Sequence, residues 1–314
     1  MARSIQSPDD SGYDRTVVTT GVTRNKIQIL RSEKLGKLPW LIHGFSTRLG
    51  GVSRPYGGRA LNLGFTKEDS RSAVNRNHEL FLKELGATNG AARRNTWPLV
   101  SLRQIHSDLI HRVDESEATR EPLAGDGLLT DTPEIIIAVQ TADCLPIILV
   151  DRKRGAVGVF HAGWRGTVQR IVEKGVGEMR KHFKSDPRNL LAAIGPGIQS
   201  CCYEVGEEVR IKFEAQFAYA SALFREVKES DPVREKYPLL FLTARAPGHS
   251  ELPVKIFLDL VEANRRQLID AGVPAKNIDI PAPCTGCHKE ILFSYRAEKG
   301  VTGRMMAAAG IKPR

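Results

Sequence analysis

No apolar run in the chain approaches the ~20 residues needed to span a bilayer, which excludes a membrane-crossing helix. The first residues, Met-Ala-Arg-Ser-Ile-Gln-Ser-Pro, lack the apolar core of a secretory signal, and residues 1–22 read as a disordered leader. Cysteine is scarce and odd in number: Cys144, Cys201, Cys202, Cys284 and Cys287. Such a set fits free thiols or metal ligands in a reducing cytoplasm better than a disulfide framework. The formal charge is +10, yet no long basic run and no RNA-binding signature accompany it, so nucleic acid is not the expected partner. The excess charge instead suits solubility or an anionic substrate such as phosphate. Internal repeats, low-complexity tracts and a clean linker are also missing.

What is present is a globular pattern. Apolar residues make up 41% and charged residues 26%, and 314 residues are enough to bury a large core. Short apolar runs with strand character occur at 23–31, from Leu41, at 134–139, 190–194 and 277–280. Helical periodicity covers 69–86, about 164–183, 206–217 and 257–269, the first opening at Asp69 or Ser70 and stopping at Gly86. Residues 226–252 are charged, broken by Pro232, Pro238 and Pro247, and read as an insertion-like loop region with one short strand. Strands and helices mix without a strict βαβ rhythm. The fold class is therefore α/β, with residues 23–314 forming a single domain of mixed β-sheets.

The chemistry concentrates in residues 141–166. Two apolar runs, Pro146–Val150 and Ala156–Phe160, flank a charged turn and read as a buried hairpin. An antiparallel pair sets the start of one strand beside the end of the next, so Cys144 and His161 become neighbours. His106, at the end of another predicted strand, supplies a third donor. One cysteine and two histidines suit a catalytic Zn²⁺ with an open position. The same atoms also permit a Cys144–His161 nucleophile and base, with Asp143 or Asp126 orienting the imidazole. A buried structural cysteine with satisfied histidines remains the plain alternative.

Elsewhere, Arg48 beside Gly50 and Gly51 lies in a glycine-rich loop suited to clamping an anion, and Asn62 is a lone amide in an apolar segment. His249-Ser-Glu together with Pro283-Cys-Thr-Gly-Cys matches the pattern of zinc deaminases, loosely enough to arise by chance. The competing reading of Cys284 and Cys287 is a packed turn before the last strand.

Several motifs, in order, resemble the laccase-domain purine nucleoside phosphorylase family, also labelled multicopper polyphenol oxidase or peptidoglycan editing factor. They are His-Gly-Phe-Ser-Thr-Arg-Leu-Gly-Gly-Val-Ser, Gln-Ile-His, Asp-Gly-Leu-Leu-Thr-Asp, Thr-Ala-Asp-Cys-Leu-Pro, His-Ala-Gly-Trp-Arg-Gly, Ala-Ile-Gly-Pro-Gly-Ile and Phe-Ser-Tyr-Arg, within residues 41–306.

The resemblance implies a layered α/β/β/α fold and zinc held by His106, Cys144 and His161. It implies a transferase that phosphorolyses adenosine, inosine and S-methyl-5′-thioadenosine, and a hydrolase activity, adenosine deamination. Within that frame Asp143 is the first choice for moving protons. Arg48 is the leading phosphate clamp, with Arg165 and Arg296 behind it. Asn62 would bind ribose or base, and Trp164 could stack on a purine. The expected partners are purine nucleosides and phosphate, with neither nucleic acid nor membrane, in a monomer or homodimer.

A laccase-type copper cluster draws on many imidazoles, commonly as His-x-His pairs, whereas this chain has eight histidines and no such pair. Cu²⁺ at the zinc ligands would be adventitious. The alternatives are a zinc or cysteine hydrolase of amide bonds, such as those of a peptidoglycan precursor, and a metal-stabilised binding module.

Overall fold

A computed structural model describes residues 26–88, 96–116, 122–228, 254–280 and 282–313. The leader, His249 and nearly all of 226–252 lie outside them. Two sheets form the centre. One has five strands in the order Ile29–Leu30, Leu41–Ser46, Met305–Ile311, Ile136–Thr141, Leu99–Ser101. The other has six, in the order Ile278–Asp279, Leu190–Ile194, Leu145–Asp151, Ala156–Ala162, Gly127–Thr130, Ile110–Arg112. Both are mixed: Leu99–Ser101, Ile110–Arg112 and Ile278–Asp279 each pair in parallel with a neighbour, and the remaining pairings are antiparallel.

The strands read as continuous apolar runs because both of their faces are buried. Ile148 and Val150 point into the layer between the sheets, where they meet Ile137, Val139, Val157 and Val159. Ile147 and Leu149 point the other way, onto the helices Ile171–Phe183 and Leu260–Asp270. On the far side Ile136 and Ala138 pack with Phe81, Leu82 and Leu85 of the helix Arg71–Leu85. The layers are thus α/β/β/α. The Arg71–Leu85 helix starts and stops as its sequence predicts, with Ser70 Oγ accepting from the Ala73 amide and Gly86 in the left-handed region.

Three local readings need correction. The span from Trp164 to Phe183 is two helices, Trp164–Val168 and Ile171–Phe183, because Arg170 takes a left-handed φ of 61°. Phe257 and Leu258 end a strand, Val254–Leu258, and the helix begins only after Asp259 caps it. That strand lies between Glu204–Val205 and Phe224–Lys228 in a small third sheet, a long-range pairing that no local pattern announces. The glycine-rich loop contains a strand, Leu49–Ser53. Its glycines admit protein backbone rather than a ligand: a Cβ on Gly51 would sit 2.2 Å from the Ala60 carbonyl oxygen, and one on Gly50 2.3 Å from the Ile27 nitrogen.

Candidate metal centre

The hairpin register pairs Pro146 with His161 and Leu145 with Ala162, which brings Cys144 to the end of the strand carrying His161. Gly163 lets the chain close over it: a Cβ there would lie 2.8 Å from Cys144 Sγ and 3.3 Å from the His106 ring. His106 arrives on the turn after Leu99–Ser101 with a left-handed φ of 58°, and its ring stands edge-on to that of His161, 4.9 Å between centroids. The donor atoms of His106, Cys144 and His161 all lie within 4.8 Å of one another. His161 is buried, Cys144 half-buried and His106 exposed, so the cluster opens toward solvent.

Asp126, fully buried, organises this arrangement. Its Oδ1 lies 2.8 Å from His161 Nδ1 and accepts from the His106 amide at 3.1 Å. Its Oδ2 accepts from the amides of Ile105 and Ser107 and from Ser107 Oγ, the latter two at 2.6 and 2.7 Å. Burial alone would raise this carboxyl. The hydrogen bonds from His161 and Ser107 outweigh it and hold the group at about 2. A carboxylate bound to one imidazole nitrogen fixes the other toward the donor cluster, the arrangement that metal-ligating histidines ordinarily have.

Burial likewise pushes the Cys144 thiol up, but the charge on His161 and hydrogen bonds from both histidines bring it down to about 6. His161 moves oppositely: burial disfavours its charged form, while the Cys144 thiolate and Asp126 raise it to about 9. At neutral pH the metal-free site is therefore a thiolate–imidazolium pair. Loading a divalent ion must then expel the His161 proton. About one proton should be released per ion at pH 7, and affinity should climb as pH rises toward 9. Below pH 6 Cys144 also takes a proton, and affinity should fall further. Calorimetry in buffers of different ionisation enthalpy measures this, and metal binding at pH 7 without proton release would contradict the pairing.

The remaining predicted residues divide. Both oxygens of Asp143 are engaged, Oδ1 by Thr285 Oγ1 at 2.6 Å and Oδ2 by the Arg296 amide at 2.7 Å, and its φ is 89°. These contacts tie the C-terminal segment to the residue that precedes Cys144. Arg48 is committed too. Its guanidinium donates to the carbonyls of Tyr56, Lys289 and Leu292, pairs with Glu298 at 2.9 Å and lies over Phe293. Asn62 is fully buried and satisfied by Gly64, Asp69 and the Arg304 amide, which leaves nothing for ribose or base.

Arg165 and Arg296 differ. Both are exposed, and among the described residues neither guanidinium has a hydrogen bond or ion pair. Arg165 lies over Trp164 at 4.4 Å and Arg296 over Tyr203 at 5.7 Å. Tyr203 belongs to no motif that sequence singles out. Burial, and next the nearby Cys144, push its phenol well above the ordinary range, so it keeps its proton. Its carbonyl accepts from Leu258 in the small sheet, a placement visible only after folding.

Of the deaminase-like pattern, His249-Ser-Glu lies outside the described residues. Cys284 and Cys287 gather with Cys201 and Cys202 in a group of four thiols.

A profile of multi-copper polyphenol oxidoreductase laccases matches residues 42–312. The chain belongs to that family. A purine nucleoside phosphorylase, YlmD of Geobacillus stearothermophilus, is 34% identical over 280 residues, 86% of this chain and 89% of its own. Adenosine deaminase RL5, from an unknown prokaryotic organism, is 39% identical over 184 residues, 59% of this chain and 60% of its own. The crystal structure of the Bacillus licheniformis hypothetical protein YfiH superposes with a TM-score of 0.71 at 31% identity, covering 87% of this chain and 93% of that one. These likenesses place the chain among enzymes of the laccase family. Among the described residues the other histidines stand apart from this cluster: His43, His78, His111, His182 and His288 are each bonded elsewhere, to Ser32, Leu63, Ala124, Glu178 and Cys284 respectively. Among the described residues no helix is long and apolar enough to cross a membrane.

Proposed function

We propose that the protein is a zinc-dependent purine nucleoside phosphorylase that also deaminates adenosine. The observation that carries the reading is the open Cys144, His106 and His161 cluster, backed by Asp126 and rimmed by Tyr203, Arg165 and Arg296. One thiolate and two imidazoles suit zinc, and the Asp126–His161 bond leaves one imidazole nitrogen directed at the cluster. When bound, zinc supplies a Lewis acid for polarising the purine or activating water.

The chain's own residues do the rest. Arg165 and Arg296 hold the phosphate, whose oxygen attacks C1′ as the bond from C1′ to the purine nitrogen breaks. Ribose 1-phosphate and the free base result: the electron pair of the broken bond departs with the base nitrogen, which takes up the proton that hydrogen phosphate gives up on becoming the ester. Tyr203 keeps its proton and offers an O–H donor beside Cys144. Asp143 and Thr285 hold the Arg296 backbone in place.

The thiolate–imidazolium pair favours one second reading, a cysteine hydrolase acting on amide bonds. A single experiment separates them: adenine and ribose 1-phosphate released from adenosine, with and without phosphate, by protein of measured metal content and by its Cys144→Ala variant. Phosphate-dependent release that requires metal and disappears with Cys144 is the expected result. Metal-loaded protein that leaves purine nucleosides untouched would refute the phosphorylase reading.

A further inference from the structure

Beyond that centre, we propose that Cys201, Cys202, Cys284 and Cys287 form a second, structural zinc site. Two turns more than eighty residues apart in sequence supply the ligands. Cys201 and Cys202 lie on the turn closed by Gln199, whose carbonyl accepts from the amides of Cys202 and Tyr203. Cys284 and Cys287 form a Cys-x-x-Cys turn in which the His288 amide donates to the Cys284 carbonyl.

The four sulfurs all lie within 4.8 Å of one another, and Cys287 Sγ is 3.5 Å from that of Cys201 and 3.4 Å from that of Cys202. Those separations are too long for disulfides, whose sulfurs stand about 2.05 Å apart. They approach the spacing of about 3.8 Å that a tetrahedral ion imposes through bonds of about 2.3 Å. The backbone supports one of the sulfurs directly: the Gln199 amide, from the first turn, donates to Cys284 Sγ on the second at 3.4 Å. Four soft thiolates in a tetrahedron select zinc or iron among the common ions, and a closed four-ligand set leaves no open position for substrate.

The consequence reaches the first centre. Tyr203 directly follows Cys202, and Thr285, between the two paired cysteines, is the residue that donates to Asp143 beside Cys144. An ion here fixes both turns, and through them Tyr203 and the Arg296 backbone. The cluster therefore acts as a staple rather than a catalytic group.

The test is metal stoichiometry on protein purified under reducing conditions with zinc supplied. Wild type should carry about two zinc ions per chain, and Cys144→Ala about one, since its four-cysteine set is intact. Cobalt exchanged into Cys144→Ala should give the intense sulfur-to-cobalt bands of a four-thiolate tetrahedron. Cys201→Ser/Cys287→Ser should lose one ion and those bands together. A metal-free Cys144→Ala protein would overturn the proposal, as would iron in place of zinc or a wild type in which the four cysteines are found as disulfides. None of these readouts depends on nucleoside turnover, so a failure of the phosphorylase assignment leaves the outcome for this site unchanged.

Discussion

Asp126→Asn is expected to lower metal affinity at the His106, Cys144 and His161 cluster by about 10–100-fold, taking turnover at limiting metal down with it. The present carboxylate only accepts. Oδ2 receives the Ser107 amide and hydroxyl, while Oδ1 meets His161 and the His106 amide. An amide in that position must turn an N–H toward one of these groups of donors, leaving a repulsive contact in a buried site. If the nitrogen faces Ser107, the turn that holds His106 at φ 58° loses its support. If it faces His161, the imidazole loses its orientation. The substitution also removes a charge that helps hold the His161 proton, so the pH midpoint for metal loading should move down even as affinity at high pH falls. Competition against a chelating dye across pH 6–9 measures both. An unchanged midpoint and affinity would remove Asp126 from the positioning role.

Arg165→Ala and Arg296→Ala are each expected to raise the KM for phosphate by roughly tenfold to a hundredfold, the equivalent of one lost charge-assisted hydrogen bond of about 1.5–3 kcal/mol. Metal content should be unaffected, because neither side chain belongs to the donor cluster. Arg48→Ala is the informative contrast. Its guanidinium joins Glu298 and three carbonyls, Tyr56 in one segment and Lys289 and Leu292 in another, so its loss leaves part-buried groups unpaired and should lower the melting temperature. In the folded fraction its phosphate KM should stay near wild type. Steady-state kinetics at varied phosphate with thermal melts on all three variants decides the matter. A phosphate KM that moves only with Arg48 would return the clamp to the glycine-rich segment.

What the sequence by itself determined was local. Two β-branched runs on either side of a five-residue charged turn admit few arrangements, so the hairpin and the meeting of Cys144 with His161 were legible from spacing. Ser70 and Gly86 marked the ends of a helix because capping chemistry acts within a turn or two of the residue concerned. His106 could be nominated as a third donor by residue type, but its approach could not be read, since it depends on Asp126 gathering three successive amides from another segment.

Tertiary structure decided what the charged and polar side chains do. Arg48 and Asn62 have the composition of ligand-binding residues, and their neighbours are protein: carbonyls and a glutamate for one, an aspartate and backbone amides for the other. Arg165 and Arg296 kept their charge free among the described residues. Cys201 and Cys202 met Cys287 across 86 and 85 residues of chain. Hydrophobic period and turn chemistry report the conformation of adjacent residues. The partner of a guanidinium or a thiol is set by which distant segments the sheets bring together, and that is a property of the packed layers alone.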